Sequence, residues 1–170
     1  MQRRYLFVLS VSVVMVIAFL LLHTFGMIGT GTRMEFKTIS KGIWSGLTNQ
    51  EYCVIQDGDE WAHIWSKHQQ IMYPQDPLHE IDFSEKTVIA VFMGTCLTTG
   101  YEIEVKQVID TGLSIVVKVE KIHPGEECVV GESLTNPYHM VEVDKISKHI
   151  IFDTSTRAKE CVKLLSSTPF

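Results

Sequence analysis

The sequence predicts an α+β fold: a mainly antiparallel β-sheet or sandwich of about seven strands with one or two packed helices, preceded by an N-terminal transmembrane helix. Three observations carry this reading. Residues 5–22, YLFVLSVSVVMVIAFLLL, form an apolar run without a charge. A single stretch, QDGDEWAHIWSKHQ, repeats apolar residues at helical spacing. Most of the remainder alternates apolar and polar residues, or runs apolar for a strand's length, between turn residues.

Arg3 and Arg4 precede the apolar run. Eighteen residues at ~1.5 Å rise span about 27 Å, close to the roughly 30 Å hydrocarbon core of a bilayer. A cleaved signal peptide is the competing reading. Its apolar core would be about 7–15 residues with a small-x-small site behind it. This run is longer, and no clear A-x-A follows. Either way, two arginines before the run and only Arg33 close behind it place the following domain outside the cytoplasm. The expected organisation is an anchor or signal at 1–29, a linker at 30–34, an extracytoplasmic β-rich domain at 35–163 and a flexible tail at 164–170.

Within the domain, EFKTIS and EYCVI read as strands flanking the turn SGLTNQ. Asp57 followed by Glu60 is an N-cap with a capping box. Trp61, Ile64, Trp65 and His68 then share one helix face, whose tryptophans should plug a sheet. Pro74 and Pro77 mark a polar loop. Thr87–Met93, TVIAVFM, is apolar throughout and should be a central strand covered on both faces. Tyr101, Ile103 and Val105 alternate with Glu102, Glu104 and Lys106, and Asp110–Gly112 turns a hairpin into LSIVVKVEKI. YHMVEV and HIIFDT supply two more strands.

Charge and motifs exclude several functions. Of 15 basic residues two lie in the first thirty, so the domain carries 13 against 20 acidic and is net negative by 7. That is no footprint for nucleic acid. Glu60 and His63 form an E-x-x-H pair without a second such pair, and His63 and His68 are five apart rather than four. No H-E-x-x-H or paired C-x-x-C occurs, so no metal and no cofactor is expected. G-x-S-x-G is absent, and GIGTGTR opens no βαβ unit. No enzymatic activity is expected.

The four cysteines, Cys53, Cys96, Cys128 and Cys161, all follow the apolar run. An even count in an exported domain favours disulfides. Residues symmetric about a hairpin turn face each other, and Cys96 and Cys128 are symmetric about residue 112. The expected pairs are therefore Cys96–Cys128 and, by elimination, Cys53–Cys161. A nucleophilic Cys96 would need a base, for which His123 on the opposite hairpin arm is the candidate.

The remaining candidates are two loops. In Thr98-Thr99-Gly100-Tyr101, Gly100 can take positive φ ahead of a strand. Asn136-Pro137-Tyr138 offers similar chemistry. Both are either well-formed turns or surfaces presented to a protein partner.

The ordered set W-x-x-x-W (Trp61, Trp65), an apolar strand (Val88–Met93), G-T-C-x-T-x-G-Y-x-I-x-V (Gly94–Val105), Pro124-Gly125 and Asn136-Pro137-Tyr138 resembles the C-terminal domain of PrcB-like protease-complex subunits over about residues 50–155. The family's usual loop is T-G-G-Y, where this chain has Thr98-Thr99-Gly100-Tyr101. The family takes its name from a lipoprotein that associates with and stabilises a surface protease. The resemblance implies a non-catalytic accessory or protein-binding role outside the cell, with a surface or secreted protease as partner. Thr98–Tyr101 is also similar to the first loop of chagasin-like peptidase inhibitors. Their G-x-G-G loop is missing here, so direct inhibition is the alternative.

Overall fold

In the computed structural model, which describes residues 31–161, the alternating stretches become eight strands and the helically spaced stretch one helix. The order is β1 (Thr32–Met34), β2 (Phe36–Gly42), β3 (Glu51–Ile55), α1 (Gly58–Gln69), β4 (Lys86–Phe92), β5 (Glu102–Asp110), β6 (Ser114–Pro124), β7 (Tyr138–Asp144) and β8 (His149–Lys159). They form two four-stranded sheets, β1-β5-β6-β8 and β2-β7-β4-β3. From Arg33 onward the described residues belong to one compact unit.

Helix α1 starts where the sequence places it. The Asp57 carboxylate accepts the Glu60 N–H at 2.9 Å and satisfies one of the amides left free in a first helical turn. Trp61, Ile64, Trp65 and His68 are buried on one face. Strand β4 is covered on both sides. Val88, Ala90 and Phe92 pack with Trp61, Trp65 and Tyr138 beneath the helix. Ile89 and Val91 join Ile103, Val105, Val117, Val141 and Val143 between the sheets. All five β4 residues are at 0% exposure, which makes this strand the shared wall of two cores.

The expected α+β class is corrected: among the described residues the chain is a mainly β two-sheet sandwich with a single helix. A second helix does not form because residues 70–85, broken by Pro74 and Pro77, run as an irregular cover. Two carbonyls of that cover, His79 and Asp76, accept the indole N–H groups of Trp61 (2.8 Å) and Trp65 (3.3 Å). The expected transmembrane helix falls within residues 1–29, which lie outside the described residues. Among the described residues, no helix is long and apolar enough to cross a membrane.

The sheet order explains how the chain arranges its loops. After β6 the chain crosses to the other sheet for β7 and returns for β8, so β6 and β8 pair in parallel from Ser114↔His149 to Pro124↔Lys159. Gly42↔Tyr138 and Phe92↔Tyr138 pair, as does Glu51↔Phe92. The segments 43–50, 93–101 and 125–137 therefore gather at one end of the sandwich.

Candidate functional site: the stitched loop end

Hydrogen bonds join the three segments at this end. The Thr95 N–H donates to the Thr48 carbonyl (3.0 Å), and Asn136 Nδ2 donates to Thr95 Oγ1 (2.8 Å). The Asn136 backbone N–H reaches the Ile43 carbonyl at 2.8 Å. Cys96 and Thr135 exchange two backbone bonds of 2.7 and 2.9 Å. Thr135, fully buried, sends its hydroxyl to the Thr98 carbonyl at 2.9 Å. The Thr99 N–H donates to the Gly131 carbonyl, and Thr99 Oγ1 accepts the Gly131 N–H at 2.7 Å.

Two glycines allow this approach. Gly94 has φ +82, and a Cβ there would stand 2.8 Å from the Gln50 amide nitrogen. Gly100 has φ +93 against Pro124 and Val130. No non-glycine residue described has positive φ, Thr99 included. A threonine at position 99 is thus compatible with the loop, and its hydroxyl provides the bond to Gly131.

The predicted site residues separate into a surface and a scaffold. Thr98, Thr99, Gly100 and Tyr101 are half-buried at the rim. Tyr101 lines an open cleft of about 350 Å³ with Lys41, Ile43 and Lys159. Asn136, Pro137 and Tyr138 are buried, which corrects the expectation that they face a partner. The Tyr138 hydroxyl pairs with Ser40 Oγ at 2.9 Å, and its ring lies 4.2 Å from that of His68. Tyr138 is the first residue of β7, and β2 and β4 flank it on both sides.

The outward-facing groups are ones the motif reading missed. Leu97 is 77% exposed, Val129 94%, Leu134 61% and Trp44 56%. The available signal was apolar residues inside turn-rich stretches, as in TCLTTG and ECVVGESLTN. A large apolar side chain in such a segment either finds the core or stays in water, and these four stay in water.

The cysteine pairing also differs from expectation. The disulfide joins Cys128 to Cys161 with Cα atoms 5.1 Å apart, while Cys53 and Cys96 are free. The hairpin symmetry holds as far as Glu102↔Ile122. Beyond it, Gly100 turns the chain toward β4 of the other sheet, so Cys96 meets Thr135. Burial pushes the Cys96 thiol up, against a smaller downward pull from Lys121. The Cys53 thiol is pushed up to about 12, first by burial and then by Glu51. The His123 Nδ1 lies 3.3 Å from the Pro124 carbonyl. No cluster of three or more metal-ligating side chains occurs among the described residues.

The disulfide ties the end of β8 to the 125–131 segment across a separation of 33 residues. Loop-closure entropy for such a separation amounts to about 3–4 kcal/mol. We expect Cys161→Ser to lower the unfolding free energy by up to that amount in urea titration of the oxidised protein. An unchanged midpoint would show that the bridge constrains little.

Fold and site together define a β-sandwich module whose loops are stitched at one end around exposed apolar side chains. Residues 87–144, from β4 through β7, match the family model described as PrcB C-terminal. Over this segment, which holds the central strands of both sheets and two of the three stitched loops, the resemblance read from the sequence is shown. No curated protein and no solved structure matches the chain.

Proposed function

We propose that this chain is a non-catalytic accessory subunit of a protease complex and binds its protein partner through the stitched loop end. The observation that carries the reading is the placement of Leu97, Val129 and Leu134 in water on loops held by cross-segment hydrogen bonds. Apolar groups already held in place lose little entropy when a partner covers them. Leu97, Val129 and Leu134 lie inside the family-matched segment 87–144. Tyr101 and the cleft beside it give the rim a polar edge. The domain sits outside the cytoplasm, held at or released from the membrane. This placement is supported by the apolar run at 5–22 and by a disulfide, a bond that persists in oxidising compartments.

The test is capture of the partner from the native cell envelope with full-length variants. Leu97→Glu and Leu134→Glu are expected to lower capture at least about tenfold, the scale of a central interface residue. Leu113→Glu, at an even more exposed residue beside the hairpin turn at the far end, is expected to leave capture intact. Equal capture by all three variants would contradict the loop-end assignment. Tight inhibition of a papain-like peptidase by the purified chain would replace the accessory reading with the inhibitor one.

A further inference from the structure

A sandwich has four sheet edges, and three of these are blunted in ways that discourage strand addition. β1 is three residues long. β2 carries a register shift between Thr38 and Ser40. β3 has five residues. The fourth edge is β8, with eleven residues in unbroken register on β6. Among the described residues no strand lies on its other side. It contains no proline or glycine, and Ile151 is 46% exposed on it.

The charges of β8 do not guard the edge either, because each leans back over its own sheet. Asp153 pairs with Lys118 (2.7 Å), Arg157 with Glu120 (3.4 Å) and Lys159 with Glu102 (2.8 Å). What remains along the edge is backbone with small side chains: Thr154, Ser155, Thr156 and Ala158.

We propose that β8 is a self-association edge, and that two copies of this chain pair β8 to β8 antiparallel about a two-fold axis at Ser155 to make one continuous eight-stranded sheet. Charge selects the register. A two-fold axis on Ser155 sets Asp153 opposite Arg157 of the second copy, twice by symmetry. Directly opposed unlike charges are favourable and like charges are not. An axis on Thr154 would oppose Asp153 with Ser155 and Arg157 with Ile151. An axis on Thr156 would oppose Asp153 with Lys159 but Arg157 with Ser155. The Ser155 register also opposes Thr154 with Thr156 and sets Phe152 against the small Ala158. The same strand face therefore gains two β-branched pairs and a large-to-small fit. Ser155 shares the outer face with Asp153, Lys106 and Lys118, so it meets its own counterpart away from the core.

The test uses the full chain in mild detergent, with cysteine substitutions and mild oxidation. Ser155→Cys is expected to form a disulfide with itself, located by peptide mapping, while Ile151→Cys is not. Light scattering is expected to give twice the chain mass. Asp153→Lys, which turns both cross-copy pairs into like charges, should weaken the dimer about tenfold. Circular dichroism of each variant confirms that the fold is kept. A monomer at all concentrations with no Ser155→Cys cross-link overturns the proposal. Cross-linking of Ser155→Cys only to a different polypeptide overturns it as well and assigns the edge to that polypeptide's strand.

Discussion

Trp61→Ala is expected to lower the unfolding free energy by about 3–5 kcal/mol, the usual range for removing a buried tryptophan. Trp61 is 2% exposed and stands under α1 in the cluster with Ile55, Val88, Phe92 and Met140. Its ring lies 5.1 Å from that of Trp65, and its indole N–H closes the 70–85 cover through the His79 carbonyl. Truncation opens a cavity between helix and sheet and removes the indole donor that holds the His79 carbonyl of the cover. A domain of this size has about 5–15 kcal/mol in total, so the loss is a large share of it. Urea titration of the oxidised protein measures the change. A loss under about 1 kcal/mol would mean that the helix is not docked as described.

Acid is expected to destabilise the fold through two buried histidines. His139 links three strands: its Nδ1 accepts the Val105 N–H at 3.0 Å, so in the neutral ring Nε2 carries the proton and donates to Thr38 Oγ1 at 2.9 Å. Protonating Nδ1 would set a second donor against the Val105 amide. The His139 pKa is lowered to about 4, first by burial and then by Lys41, with Glu104 opposing in part. His68 is also lowered to about 4 by burial, against a smaller upward pull from Asp76. Its Nδ1 meets Ser45 Oγ at 3.0 Å, and its Nε2 is buried without a hydrogen-bond partner among the described residues.

Between about pH 6.5 and 4 the unfolded chain therefore binds more protons than the folded one. Stability is full above that window and falls as the pH drops through it, by up to about 1.4 kcal/mol per pH unit for each histidine. Chemical denaturation at a series of pH values measures the slope. His68→Leu should keep the fold and remove roughly half of it. A flat profile from pH 7 to 5 would show that neither ring is held neutral by the folded structure.

Much of this architecture was legible because local chemistry decided it. The Asp57 cap, the tryptophan face of α1 and the doubly covered β4 each follow from residues within a few positions of one another. The cysteine pairing did not follow, since it depended on extrapolating hairpin symmetry past Gly100 into a crossover between sheets. Tyr138 opens the strand read from YHMVEV, but with Asn136-Pro137, which signal a turn, it also reads as part of a loop facing a partner. The turn ends at Pro137, and pairing with Gly42 and Phe92 draws the ring inside. The far half of β8, polar from Asp153 to Arg157, becomes strand through its parallel ladder with β6, a long-range partner that no local pattern announces. The exposed Leu97, Val129 and Leu134 were hidden for the opposite reason. Only the surrounding hydrogen bonds show that these loops have no core left to enter.

The most direct test of the central claim is site-specific photo-cross-linking in the native envelope. A photoreactive amino acid replaces Leu97 at the stitched loop end or Leu113 at the far end, and cross-linked products are identified by mass spectrometry. A discrete adduct with a protease-complex component is expected from position 97 and none from position 113. An adduct from position 113 alone, or the same adduct from both, would contradict the claim.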